Sequence, residues 1–174
     1  FECNSNLLGE KFTSVIFGIV AIITGTTFNS SGINVTQIMD DTLIASTFSD
    51  CNFINSDTKT TLAATFYGNC SFQSSKTYYF RASAFFMDCK IMSSSSEVLY
   101  GTLRYSNCVL DESNIDALNS VLFLSDSFSC SNNARLKYGG CVYLYASTIV
   151  FNPRAKAIFS NNRANKGGAL YMTG

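Results

Sequence analysis

Seven cysteines are the residues of this chain best suited to chemistry, and four of them recur at one spacing. Cys51, Cys70, Cys89 and Cys108 are separated by three equal intervals. A zinc site explains this pattern poorly, because there is no C-x-x-C pair and ligands repeated at this interval would form a line instead of surrounding an ion. A catalytic thiolate explains it less well, since the chain has no histidine to activate a cysteine. We therefore expect a structural column of cysteines, with no metal and no cofactor.

Two structural roles stay open for this column. As small apolar side chains, the cysteines could fill the core. Alternatively, neighbours could form disulfides, Cys51 with Cys70 and Cys89 with Cys108, because stacked Cα atoms about 4.8 Å apart fall in the range that a disulfide spans. The odd total of seven cysteines leaves at least one thiol that is unpaired or paired elsewhere.

The residues around the four cysteines repeat as well. Each cysteine has an aromatic residue three positions before it, Asp or Asn directly before it, and a large apolar residue two positions after it. The aromatic residues are Phe48, Tyr67, Phe86 and Tyr105, the Asp and Asn residues are Asp50, Asn69, Asp88 and Asn107, and the apolar residues are Phe53, Phe72, Ile91 and Leu110. The cysteine and the apolar residue share a parity, so both can point inward. The aromatic residue has the opposite parity, so we expect a bend at the Asp or Asn position.

A repeat of this length is too short for a helical hairpin, and the Leu-x-x-Leu-x-Leu frame of leucine-rich repeats is absent. Short strands joined by polar turns fit such a unit, and each repeated position then forms a column with a spacing of about 4.8 Å. The sequence predicts an all-β, single-domain parallel β-helix over residues 1–174, with 19-residue coils in the middle and longer coils toward both ends. The apolar run Val15–Ile23 is too short to span a bilayer, and we expect it to form a buried pair of strands.

The C-terminal part carries a second repeat. Phe128–Tyr143 and Phe159–Tyr171 share a phenylalanine, a serine, a pair of asparagines and two glycines followed by a small residue, an apolar residue and a tyrosine. The two glycine pairs lie further apart than successive column cysteines do, which indicates larger coils. Paired glycines permit a positive φ and a close approach of two backbones at a turn.

The second copy of this repeat resembles a known family. Its Phe159-Ser-Asn-Asn162 segment, followed by Gly167-Gly168-Ala169 and a leucine, is similar to the repeats of polymorphic outer-membrane proteins, which are bacterial surface autotransporters. The first copy matches more loosely, with an additional residue before its asparagine and a cysteine in place of the alanine. The resemblance covers about a quarter of the chain. It implies a right-handed parallel β-helix that is exposed outside the cell and acts in adhesion or as a stalk, and it implies no catalytic residue.

The net charge and the glycosylation sequons of the chain indicate which partners it can have. The 12 basic residues equal the 12 acidic ones, so the chain lacks the excess of positive charge that nucleic-acid binding needs. Three sequons would make Asn29, Asn34 and Asn69 acceptors of N-linked glycans in a protein secreted by a eukaryote. Because Asn69 precedes a cysteine that we expect to point inward, Asn29 and Asn34 are the more accessible candidates.

These patterns predict an extracellular or cell-surface structural protein, either a stalk or a subunit of a filament or surface coat. Solenoids need caps, and no polar cap follows the last repeat, so we expect the chain to continue into a longer solenoid or its ends to stack on other subunits. The alternative is an adhesin that recognises a glycan or a surface protein through one lateral face. A polysaccharide lyase or hydrolase is the third candidate. The acidic pairs Asp40-Asp41 and Asp111-Glu112 do not converge, since adjacent strand residues point to opposite faces, and we predict that the chain is not an enzyme.

Overall fold

Parallel strands make up the fold of this chain. The computed structural model describes residues 2–4, 7–8, 13–17, 22–36, 45–135 and 137–174. Within this part every strand pairing is parallel. The described residues contain no helix, and so none that is long and apolar enough to cross a membrane. The predicted all-β, parallel, solenoid-like fold is confirmed.

The strands form three ladders along the molecule. Ladder one contains β1 (Glu2–Asn4), β4 (Ile22–Thr24), β7 (Ala45–Ser49), β10 (Ala64–Gly68), β13 (Ser83–Met87), the first halves of β16 (Thr102–Asp111) and β18 (Val121–Ser131), and β20 (Thr148–Phe151). Ladder two contains β2 (Leu7–Leu8), β5 (Thr27–Asn29), β8 (Asn52–Ile54), β11 (Ser71–Gln73), β14 (Lys90–Met92), the second halves of β16 and β18, and β21 (Lys156–Ser160). Ladder three contains β3 (Thr13–Phe17), β6 (Gly32–Thr36), β9 (Asp57–Thr61), β12 (Lys76–Phe80), β15 (Ser95–Leu99), β17 (Asn114–Leu118), β19 (Val142–Tyr145) and β22 (Leu170–Thr173).

Each coil contributes one strand to each ladder, so the described strands form eight coils, from β1–β3 to β20–β22. In the middle of the chain the register advances by the cysteine interval at each coil, as from Tyr67 to Phe86 and then to Tyr105. The advance from Ile22 to Thr47 is larger. It is larger again in the eighth coil, as from Leu124 to Phe151, because longer connections join the strands there.

The corners between the ladders depend on residues with a positive φ. At the corner between ladders one and two, Asp50, Asn69, Asp88 and Asn107 have φ values of 55°, 48°, 55° and 52°. Asn and Asp adopt this left-handed conformation more readily than most other residues. The bend predicted directly before each column cysteine is confirmed, and it explains why the residues on both sides of it can point inward.

Aromatic rings fill much of the core. In the column three positions before the cysteines, successive rings stack with centroid separations of 5.2, 4.9 and 4.7 Å. In the column two positions after the cysteines, Phe53 and Phe72 stack at 4.5 Å, and Phe53 meets Tyr67 edge to face at 5.8 Å. All members of both columns are buried. Such ring pairs stabilise a core by about 0.5–1.5 kcal/mol each beyond the burial of their area.

The run Val15–Ile23 contributes to two strands. Its described residues belong to β3 and β4, which lie in different ladders, and residues 18–21 lie outside the described part. In β4, Ile23 is buried, whereas Ile22 points outward and is exposed. The predicted burial therefore holds for Ile23 and is wrong for Ile22, because alternate residues of a strand face opposite sides.

Candidate functional site

The four column cysteines lie directly after the first corner of their coils, and their side chains are buried. The single S–H of each thiol is shared between two carbonyl oxygens, one that lies two residues earlier and one in the preceding coil. For Cys70 these acceptors are Gly68 at 3.2 Å and Phe48 at 3.4 Å. The same pair of contacts recurs at the other three cysteines. The thiols therefore link the corner of one coil to the backbone of the preceding coil through hydrogen bonds.

The structure decides between the two roles that the sequence left open. The pairings Cys51–Cys70 and Cys89–Cys108 are absent, and all four thiols are free and hydrogen-bonded to backbone carbonyl oxygens instead. Hydrogen bonding with Cys51 and burial raise the pKa of Cys70 to about 12. The hydrogen bond with Cys70 lowers the pKa of Cys51, but that side chain is fully buried. Thiols that are inaccessible in this way are poor nucleophiles, so the column supplies no reactive cysteine.

The described residues contain a disulfide that the sequence analysis did not predict. It joins Cys130 to Cys141 and closes the segment between β18 and β19. In the register, Cys130 lies opposite Phe159, and the amide of Cys141 donates to the carbonyl oxygen of Ala169 at 2.9 Å. In the seventh coil, the two cysteines of the disulfide thus occupy the positions that Phe159 and Ala169 of the motif occupy in the eighth coil. The sequence alignment of Phe128 with Phe159 is wrong by two positions, because the seventh coil has an inward cysteine where the eighth has phenylalanine.

A column of serines, which the sequence analysis missed, closes the second corner. Its buried members are Ser31, Ser56, Ser75, Ser94 and Ser113. The hydroxyl of Ser94 accepts a hydrogen bond from the backbone N–H of Ser75 at 3.0 Å and donates to the carbonyl oxygen of Met92 at 2.7 Å. Along the column, other serine hydroxyls likewise accept a hydrogen bond from the backbone N–H of the serine in the preceding coil. The signal was present in the sequence, because a serine lies five positions after each column cysteine.

The motif residues of the C-terminal repeat have structural contacts. The side chain of Asn162 accepts hydrogen bonds from the backbone and side-chain amides of Asn133, at 3.1 and 2.8 Å. Gly167 has a φ of +62°, which glycine adopts without strain. A Cβ atom on Gly140 would lie 2.2 Å from the carbonyl oxygen of Gly168, so the two backbones approach closely at this turn. These residues join the seventh and eighth coils and bring no reactive group together.

The carboxylates of the described acidic pair contact neighbouring coils rather than one another. In the pair Asp111-Glu112, Asp111 accepts a hydrogen bond from Ser131 at 3.0 Å, and Glu112 accepts one from Ser93 at 3.0 Å. The pair Asp40-Asp41 lies outside the described residues. No group of three histidine, cysteine or acidic side chains able to hold a metal ion occurs in the described ranges.

The three sequon asparagines differ in accessibility. Asn69 is exposed, and its side-chain amide donates to Asp50 at 2.6 Å, whereas Asn29 and Asn34 are half-buried on outward positions. This order reverses the expected one. The physical reason is the corner itself, since the positive φ of Asn69 turns its side chain outward while the next residue points inward.

The eighth coil leaves the apolar interior open at one end. Met172 is in register with Leu144, and Phe151 is in register with Leu124, so both take inward positions. Leu144 and Leu124 are fully buried, whereas Met172 and Phe151 are 50% and 45% exposed, because no coil among the described residues covers them. We call this surface the open end, and its partly covered inward residues also include Ile149, Ala157, Phe159 and Leu170.

The lateral surface carries an outward column of rings and a guanidinium on ladder one. Phe66 and Phe85 stack at 4.6 Å, and Arg104 lies 5.6 Å from the ring of Phe85 and 5.0 Å from that of Phe123. Members of this column cover the faces of their neighbours, so their ring edges point to solvent. Tyr79, in contrast, points into the core and is fully buried.

These observations define the class of protein, which is a solenoid-like parallel β protein with hydrogen-bonded corners and an aromatic core. No protein-family model, curated protein or solved structure matches the chain.

Proposed function

We propose that this chain is an extracellular structural protein, a segment of a stalk, filament or surface coat, in which a further parallel coil, such as the first coil of another copy, covers the open end. The observation that carries the proposal is the half-exposure of Met172 and Phe151 at positions that are fully buried one coil earlier. Burying a large apolar side chain contributes about 1.5–3 kcal/mol, so several such residues on one surface favour association.

Backbone groups at the open end support the same arrangement. In the seventh coil the N–H of Asn132 donates to the carbonyl oxygen of Ser160 in the coil that follows, at 3.2 Å. The equivalent N–H of Asn161 has no such partner among the described residues. An unpaired parallel edge of this kind is a template for another strand. A parallel coil stacked on the eighth would satisfy the backbone and cover the apolar surface at once.

A second copy offers a matching set of strands at its other end. Its first coil contains β1, β2 and β3, one strand for each ladder in the same order as β20, β21 and β22. Contact between two different ends is heterologous, and when such contacts stack coils along the solenoid axis they repeat without closing and generate a linear assembly. We further propose the right-handed winding that the resemblance to polymorphic outer-membrane proteins implies.

The cysteine chemistry supports a location outside the cell. Disulfides form and persist in oxidising compartments, and Cys130 and Cys141 are paired. The four column thiols are compatible with the same location, because their burial prevents their oxidation.

Two matched variants test the end-to-end contact. Met172→Glu places a carboxylate in the open end, at a position already half exposed, whereas Thr173→Glu places the same charge on the neighbouring outward residue. We expect the wild-type chain and Thr173→Glu to form linear assemblies as concentration rises in sedimentation velocity and electron microscopy. Met172→Glu should sediment as a monomer with an unchanged circular dichroism spectrum. A wild-type chain that stays monomeric at every concentration, or equal association by both variants, would refute the contact.

A further inference from the structure

Three tyrosine rings lie together on the outer surface of the seventh and eighth coils. The centroid separations are 4.8 Å between Tyr138 and Tyr171, 5.6 Å between Tyr138 and Tyr143, and 6.1 Å between Tyr143 and Tyr171. The three ring planes are within 20° of parallel. No other pair of tyrosine rings is stacked among the described residues, so this cluster is chemically distinct from the remaining exposed tyrosines.

The fold holds these rings in place from several sides. Tyr143 and Tyr171 are paired in register on β19 and β22. Tyr138 forms a parallel bridge with Lys166, whose ammonium group lies 5.8 Å from the Tyr138 ring. The disulfide described above closes the segment that carries Tyr138, and Gly139 follows it with a φ of +47°. The rings are therefore presented in one arrangement at the surface, with Tyr138 36% exposed.

We propose that Tyr138 and Tyr171 are a site of oxidative cross-linking, at which the two side chains couple to dityrosine within one chain. Coupling requires two phenoxyl radicals whose ortho carbons can meet, and this pair has the closest nearly parallel rings of the cluster, 17° apart. The product joins the seventh coil to the eighth, next to the open end. A covalent bond at that place would prevent the eighth coil from separating from the seventh under mechanical force.

The oxidant is hydrogen peroxide used by a haem peroxidase. Each phenol gives one electron and one proton, so two tyrosines reduce one peroxide molecule to two water molecules. The two radicals join through a new carbon–carbon bond between their ortho positions. The ring hydrogens at those carbons then move to the oxygens and restore both phenols. The balance is a loss of two hydrogen atoms from the protein and no added atom.

This inference uses the proposed extracellular location only for the supply of the oxidant. The reacting pair lies within one chain, so it does not depend on end-to-end assembly. Treatment of a dilute monomer therefore separates the two proposals, since a failure of cross-linking leaves the sedimentation test unaffected.

The experiment treats the full chain with a haem peroxidase and hydrogen peroxide at low protein concentration. We expect a monomer whose mass is lower by two hydrogen atoms and which shows dityrosine fluorescence. After reduction of the disulfide, trypsin cleaves after Lys137 and Lys166, so the cross-linked product joins peptide 138–154 to peptide 167–174. Because peptide 138–154 contains three tyrosines, single variants are needed to assign the bond.

Phenylalanine variants make that assignment, because they keep the ring and remove only the hydroxyl. Tyr138→Phe and Tyr171→Phe should each abolish the monomeric cross-link, whereas Tyr143→Phe should retain it. Tyr100→Phe is the matched control, since Tyr100 is 54% exposed and its ring contact is with Phe80. Cross-links that form only between chains, or a monomeric cross-link that survives Tyr138→Phe, would overturn the proposal.

Discussion

Replacement of Ser94 by alanine tests whether the serine column stabilises the coils. The hydroxyl of Ser94 is the acceptor for the backbone N–H of Ser75, and both residues are buried. The alanine variant leaves this N–H without a partner and without access to water. The hydroxyl also donates to the carbonyl oxygen of Met92, but that oxygen keeps a second hydrogen bond, from the N–H of Ser74 at 3.0 Å. The orphaned donor therefore determines the cost.

A buried backbone donor left unsatisfied costs about 1–3 kcal/mol, so we expect Ser94→Ala to lower the free energy of unfolding by that amount. Ser95→Ala is the control, because the Ser95 side chain is partly exposed and its hydroxyl has no hydrogen bond among the described residues. Changes at such surface positions usually stay within about 0.5 kcal/mol.

Urea unfolding followed by circular dichroism gives both values, provided that the slope of each transition is unchanged. Amide hydrogen exchange adds a local measurement, since the amide of Ser75 should lose protection in Ser94→Ala while amides two coils away keep theirs. Equal stability of Ser94→Ala and Ser95→Ala, with an equally protected Ser75 amide, would refute the hydrogen-bonding role assigned to the column.

Three further perturbations address the corners and the thiols. Gly101→Ala should cost about 1–3 kcal/mol in thermal or urea unfolding, because its Cβ would lie 2.2 Å from the carbonyl oxygen of Ala82, whereas in Gly68→Ala the nearest atom is 3.8 Å away and stability should hardly change. Asn69→Asp should destabilise the fold by about 1 kcal/mol at low salt and less at high salt, since it replaces the amide that donates to Asp50 with a second carboxylate, and an equal loss at both salt concentrations would contradict this electrostatic cause. The four column thiols should not react with Ellman's reagent at pH 8 in the native protein and should all react once it is unfolded. The hydrogen bond with Cys51 and burial raise the pKa of Cys70 from 9.0 to about 12. The hydrogen bond with Cys108 lowers the pKa of Cys89, but the hydrogen bond with Cys70 and burial together raise it to about 12. The stability that these two thiols contribute should therefore be present below pH 9 and be lost between pH 9 and 12. Rapid native labelling, or stability that rises over that pH range, would contradict the buried column.

The spacing of the cysteines was sufficient to predict the fold class. Side-chain parity predicted the inward aromatic column and the bend at Asp50 and its equivalents, because a strand alternates its faces and a corner interrupts the alternation. The serine column was missed although its spacing is identical, since serine is common in this chain and its repetition does not stand out.

The disulfide between Cys130 and Cys141 could not be derived from the sequence. Neither cysteine continues the regular interval of the column, and the larger loop between them hides their proximity. The tyrosine cluster could not be predicted from the sequence either, because Tyr138 contacts its partners from a segment outside the regular strands. The order of accessibility at the sequons failed for a related reason, since a positive φ at Asn69 turns a side chain outward that a regular strand would bury.

The central claim is that the cysteines at positions 51, 70, 89 and 108 occupy one position in four successive coils of a parallel β solenoid. A crystal structure tests it through the Cα separations measured from Cys51. We expect separations that rise in equal steps of about 4.8 Å, one inter-strand spacing for each coil. Unequal steps, or two of these cysteines on different sides of the molecule, would contradict it.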